Sequence, residues 1–99
     1  MELIANHSGT LTDLCRTHYV DKMYVFGSVL NSNFNAKSDL DFLVRFKSIE
    51  LSEYYDNYID LKDKLEILFE RDIDLVEEQA LKNPILIRSI NRSKELIYG

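Results

Sequence analysis

Three features of this chain predict a mixed α/β (α+β) domain, a small mixed sheet of three to four strands packed on about three helices. Apolar and polar residues alternate over Asp39–Phe46 and again over Arg71–Glu77, the two-residue period of a half-buried strand. Between them, Leu51, Tyr54, Tyr55, Tyr58, Leu61, Leu65 and Leu68 recur at helical spacing, with Asp56, Asp60, Asp63 and Lys64 opposite. Only three glycines and one proline interrupt the 99 residues, so no linker divides them and residues 1–99 form one domain.

The elements follow in order. Thr10 is placed to cap a first helix with Asp13 at the reciprocal position, and Leu11, Leu14, Cys15 and His18 form its apolar stripe. Lys22–Phe26 reads as the first strand and Asp39–Phe46 as the second. Ser48 is placed to cap the long amphipathic helix. Arg71–Glu77 makes the third strand. Asn83-Pro84 is a cap followed by a first-turn proline, opening a helix to about Ser93, and Glu95–Tyr98 adds a short last strand.

Composition limits the function. The single cysteine cannot form an internal bridge, no stretch approaches a membrane span, and no signal-peptide pattern is present, which together predict cytoplasmic residence. The net charge is −5 and the twelve Lys and Arg are scattered, which argues against a broad nucleic-acid surface. Cys15 reads as a small core residue, His18 as a packing residue at a helix edge and His7 as exposed. The tyrosine cluster at 54, 55 and 58 covers more than one side of its helix, and tyrosines of that kind suit a homo-oligomer or a hetero-complex equally well. The acidic side of the helix reads as a solvated face.

The chemistry concentrates in one run. Gly27-Ser28 leaves the first strand, and ten residues later Asp39-Leu40-Asp41 opens the second. Residues i and i+2 of a strand point to the same side about 6.5–7 Å apart, and carboxylates so placed can share hard divalent cations. Strand phasing puts Leu40, Phe42, Val44 and Phe46 on the core side and Asp39, Asp41, Leu43 and Arg45 on the other. It also puts Asp72, Asp74 and Val76 opposite Ile73 and Leu75. Three acids on one sheet face repel unless cations sit among them.

These residues resemble the polymerase-beta-type nucleotidyltransferases: Gly-Ser, a ten-residue gap, Asp-x-Asp, and a later aspartate in a short apolar strand. The ending, Asn83-Pro84 before a helix and then Glu95-Leu96-Ile97-Tyr98-Gly99, resembles the minimal (MNT) members of bacteria and archaea. The resemblance spans Met23 to Gly99. It implies that Asp39, Asp41 and Asp74 are catalytic and hold two Mg²⁺ ions, with Mn²⁺ as the alternative. It implies that the turn at Gly27 and Ser28 binds the phosphates of ATP, and that Asp74 serves the acceptor hydroxyl. Asp72 matches no family ligand position.

One departure stands out. Many members continue Gly-Ser with x-Ala-Arg-Gly, where this chain has Val29, Leu30, Asn31 and Ser32. The expected arginine is absent, so Lys37 becomes a candidate phosphate contact. Ninety-nine residues hold the catalytic core and little else, so the acceptor is expected on another molecule. The family's partner is a HEPN-type ribonuclease toxin, and the implied reaction moves AMP from ATP to a tyrosine of that toxin, making this chain the antitoxin of a toxin–antitoxin pair. The alternatives are an inactive antitoxin that neutralises by binding, or a transferase acting on a small-molecule hydroxyl.

Overall fold

In the computed structural model, residues 2–30, 34, 35 and 37–99 are described, Ser28 by its backbone alone. Two short helices lead in, α1 (Glu2–Ala5) and α2 (Ser8–Thr17), followed by strand β1 (Val20–Phe26) and a 3₁₀ turn at Gly27–Leu30. Then come β2 (Leu40–Phe46), α3 (Leu51–Phe69), β3 (Ile73–Glu77), a second 3₁₀ turn at Glu78–Ala80, α4 (Pro84–Ser93) and β4 (Glu95–Tyr98). The sheet order is β3-β2-β1-β4. β1 runs antiparallel to β2 and β4, whereas β2 and β3 are parallel and joined through α3, as a parallel crossover requires. The expected mixed sheet is present with its fourth strand, and the described residues hold four helices rather than about three.

One sheet face makes the core. Met23, Val25, Leu40, Phe42, Val44, Ile73 and Leu75 bury against Leu11 and Cys15 of α2 and Leu61, Leu65 and Phe69 of α3. Burial pushes the Cys15 thiol up to about 12, which fits an inert packing residue. The other face is covered in part by α4, beneath which Leu43 is buried.

The helix caps differ from the sequence reading. α2 starts at Ser8, two residues before Thr10, with His7 at its N-cap and no side-chain cap bond, so Thr10 lies inside the first turn. Asp13 pairs with Arg16 at 2.9 Å instead. α3 starts at Leu51 behind Glu50, and Ser48 makes no cap. The Asn83 cap is formed: its side-chain oxygen accepts from the backbone of Ile85 and Leu86, with Pro84 in the first turn.

Two further expectations are corrected. The apolar stripe of α3 narrows to Tyr54, Tyr58, Leu61, Leu65 and Leu68, while Leu51 and Tyr55 are 88% and 71% exposed: in these first turns Tyr54 is the residue that packs on the core, against Phe46 of β2. The acidic face of α3 is also not merely solvated. Asp60 lies 2.6 Å from Nε2 of the buried His18, whose Nδ1 is 2.8 Å from the Leu14 carbonyl, and Lys64 donates to the same Asp60 oxygen. Asn57 donates to the His18 carbonyl, so α2 is fastened to α3 by polar bonds as well as by packing. His7, expected to be exposed, is half-buried and stacks on Phe69 with ring centroids 5.2 Å apart.

Leu61→Ala is expected to lower unfolding free energy by about 2–5 kcal/mol, whereas Leu51→Ala stays within about 0.5 kcal/mol. Chemical denaturation of the two variants checks this. Lys64, and then His18, hold the Asp60 carboxyl below its usual range. A carboxyl lowered in the folded state contributes stability above its unfolded value and loses it as pH falls through the folded one. Asp60→Asn should therefore lower the melting temperature at neutral pH and flatten its decline in acid, as read by thermal scans across pH.

Candidate active site

The antiparallel pairing of β1 and β2 brings the end of β1 to the start of β2, with Phe26 directly opposite Asp41. Gly27 follows at φ +80°, a backbone conformation that side chains rarely adopt. A Cβ built on Gly27 would stand 2.1 Å from Oδ2 of Asp41. The positive φ favours glycine here, and a Cβ would in addition push the Asp41 carboxylate out of its position.

The parallel register of β2 and β3 pairs Asp41 with Asp74. Paired residues on neighbouring strands lie about 4.8 Å apart and share a face, so two carboxylates stand side by side. Asp39 precedes β2 by one residue rather than opening it, and is exposed. Partial burial, then Asp74 and Asp39, push the Asp41 carboxyl above its usual range. A cation among them would relieve that repulsion, and carboxylate oxygens are the donors that hard divalent ions prefer. Among the described residues no three His, Cys, Asp or Glu converge into a ready metal cage. The acids fit such ions by donor type, with Asp41 and Asp74 paired in register and Asp39 exposed two residues before Asp41. Asp72 lies just before β3 and is exposed; its carbonyl accepts from Leu40, which extends the ladder.

The segment entering the site is held by a residue that sequence reading treated only as the start of a strand. Arg71 donates to the carbonyls of Asn35 and Ser38 at 3.3 and 3.2 Å, and its guanidinium lies 4.7 Å from the Phe34 ring centroid. It anchors the chain just before Asp39. Lys37 is exposed in that turn, where its backbone donates to the Asn35 side chain. Asn31, the position of the departure, lies outside the described residues.

At the β3 edge of the sheet, from the core side, Tyr58 of α3 donates to the Leu75 carbonyl and Tyr54 to Glu77. Burial first, and then Glu77 and Asp74, raise the Tyr58 hydroxyl above its usual range, so it stays protonated as a donor.

Residues 10–99 match the family described as polymerase beta, nucleotidyltransferase, and the chain belongs to that family. It is a nucleotidyltransferase, and its described fold is that of the class. A Methanocaldococcus jannaschii protein provisionally named a protein adenylyltransferase is 37% identical over 79 residues, which cover 80% of this chain and 76% of that protein. A second from the same organism, named likewise, is 27% identical over 97 residues, covering 98% and 91%. A solved structure provisionally named a minimal nucleotidyltransferase superposes with a TM-score of 0.77 at 30% identity, covering 95% of this chain and 92% of that one. A structure of a tri-AMPylated Shewanella oneidensis HEPN toxin in complex with MNT antitoxin shares the fold at a TM-score of 0.67 and 18% identity, covering 96% and 71%. Among the described residues no helix is long and apolar enough to cross a membrane.

If Gly27 is fixed by the Asp41 carboxylate as well as by its φ, the two residues are coupled. Gly27→Ala should cost about 1–3 kcal/mol, and less in an Asp41→Ala background, where the clash is gone. A double-mutant cycle in denaturant measures the difference. Purely backbone strain would give additive effects.

Proposed function

We propose that this chain moves AMP from ATP to a protein hydroxyl, a tyrosine of a HEPN-type toxin, and thereby acts as a cytoplasmic antitoxin. The observation that carries the reading is the register pairing of Asp41 with Asp74, with Asp39 two residues before Asp41 and Gly27 against the Asp41 carboxylate. The names of the 37% and 27% identical relatives support protein adenylylation, and the complex of an AMPylated toxin with an antitoxin of the same fold supports the partner.

Asp39, Asp41 and Asp74 would hold two divalent ions, Mg²⁺ by preference, with Mn²⁺ as the alternative. Such ions supply charge neutralisation of the triphosphate and of the departing pyrophosphate. Backbone N–H groups of the turn at Gly27 and Ser28 would hold the terminal phosphates, as the unpaired amides of a tight turn favour anions. Lys37, exposed beside Asp39, would add a cation where the usual arginine is missing. The acceptor oxygen attacks the α-phosphorus, the bond to the bridging pyrophosphate oxygen breaks, and Asp74 takes the hydroxyl proton. Residues 1–99 act as one catalytic domain in this reading, with the acceptor on a second protein. An AMP on tyrosine adds bulk and negative charge where RNA phosphates bind, which is sufficient to silence a ribonuclease.

Incubating the chain with ATP, Mg²⁺ and a HEPN-type toxin encoded beside it should add one or more AMP masses to tyrosine of the toxin. Asp39→Ala and Asp41→Ala should each slow this about a hundredfold or more, the scale of losing a charge partner in the transition state. Intact-mass spectrometry checks both. A toxin neutralised without added mass, equally well by both variants, would mean inhibition by binding alone.

A further inference from the structure

The face that carries Asp41 continues beyond the carboxylates. Leu43 lies two residues further along β2, about 7 Å away at strand rise, and its direct partner on β1 is Tyr24. Together they floor a cavity of about 330 Å³, roofed by Ile87 and Ile90 of α4. That volume is at the lower end for small-molecule sites. A hollow of similar size beside Tyr19, Ile49 and Leu51 lies at the opposite end of β1 from Gly27 and is not continuous with the carboxylates.

We propose that the cavity between α4 and the β1–β2 face receives the nucleoside end of the nucleotide, a subsite resting on the transferase reading above. The order of stations along the sheet carries the argument. A nucleoside triphosphate presents terminal phosphates, α-phosphate, sugar and base in one direction, and the face presents the Gly27 turn, Asp41 and then the cavity. Leu43, Ile87 and Ile90 give apolar surface for the faces of a planar base. Asn91 on the cavity wall offers both a donor and an acceptor to a base edge.

The charge is consistent with this. Lys94 lies 4.2 Å from the centroid of Tyr24 and lines the same cavity, whose lining also holds the acid Glu78, itself 3.8 Å from Arg45. In a chain of net charge −5, the segment 81–94 carries Lys82, Arg88, Arg92 and Lys94 and no acid; Lys94 lines the cavity and the other three are exposed, a surrounding that attracts the nucleotide as a whole by its phosphates. Asp74 flanks Asp41 on the opposite side of β2 from Tyr24, which leaves the β3 side for the acceptor hydroxyl.

Calorimetric titration of the full chain in Mg²⁺ with ATP, inorganic tripolyphosphate and adenosine tests the assignment. Asn91→Ala, at an exposed helix position, and Ile87→Trp, which fills the cavity, should each weaken ATP and adenosine about fivefold to tenfold and leave tripolyphosphate unchanged. Asp41→Ala should weaken ATP and tripolyphosphate together. Unchanged ATP binding in both cavity variants, or an equal loss for tripolyphosphate, overturns the subsite while leaving the transferase reading intact. A wild-type chain that binds neither ATP nor tripolyphosphate overturns both. Circular dichroism of each variant separates loss of binding from loss of fold.

Discussion

Everything in this molecule depends on the central position of β2. It is paired on both sides, antiparallel to β1 and parallel to β3, and its core-facing residues Leu40, Phe42 and Val44 are fully buried. Those pairings oblige Asp41 to sit beside Asp74 and against Gly27, although two carboxylates in such a place repel. Burying the apolar face of one strand contributes several kcal/mol, enough to hold its opposite face in an arrangement that charge alone would disperse. The core stabilises the strand, and the strand imposes the site.

Helical elements serve the same end by different means. α3 seals the core face through Leu61, Leu65 and Phe69, and its polar side reaches back to α2 through Asp60 and His18. α4 covers part of the opposite face instead, the one that carries Asp41, and encloses a cavity there with Tyr24 and Leu43. Arg71 then joins the two levels: it sits at the entrance to β3 and holds the segment that delivers Asp39.

Much of this was legible in the residues. Period-two alternation located β2 and β3, and phasing put Asp41 and Asp74 on the same side because side chains of a strand can only alternate. Asn83-Pro84 marked α4 correctly since both residues act within one turn of chain. What could not be read depended on partners distant in sequence. Leu51 and Tyr55 fit the helical stripe yet stay exposed, since Tyr54 between them takes the contact with Phe46 and Glu77, on strands that lie elsewhere in the sequence. Thr10 and Ser48 have cap chemistry, but the preceding chain starts each helix elsewhere. His18 looked like packing and is buried, while its bond to Asp60 spans 42 positions, which no local pattern reports. The close approach of Gly27 to the Asp41 carboxylate was likewise invisible before the register of β1 and β2 was known.

The bonds from α3 to β3 have a consequence for how the protein behaves in company. β3 is an edge strand, and edges with vacant main-chain groups invite pairing with foreign strands. Here the Leu75 carbonyl accepts from Tyr58 and the Ile73 amide donates to Glu66, so a helix already occupies part of that edge. The border nearest the paired aspartates is thereby guarded against strand addition, and a foreign chain approaching it meets side chains rather than a template for fibril growth.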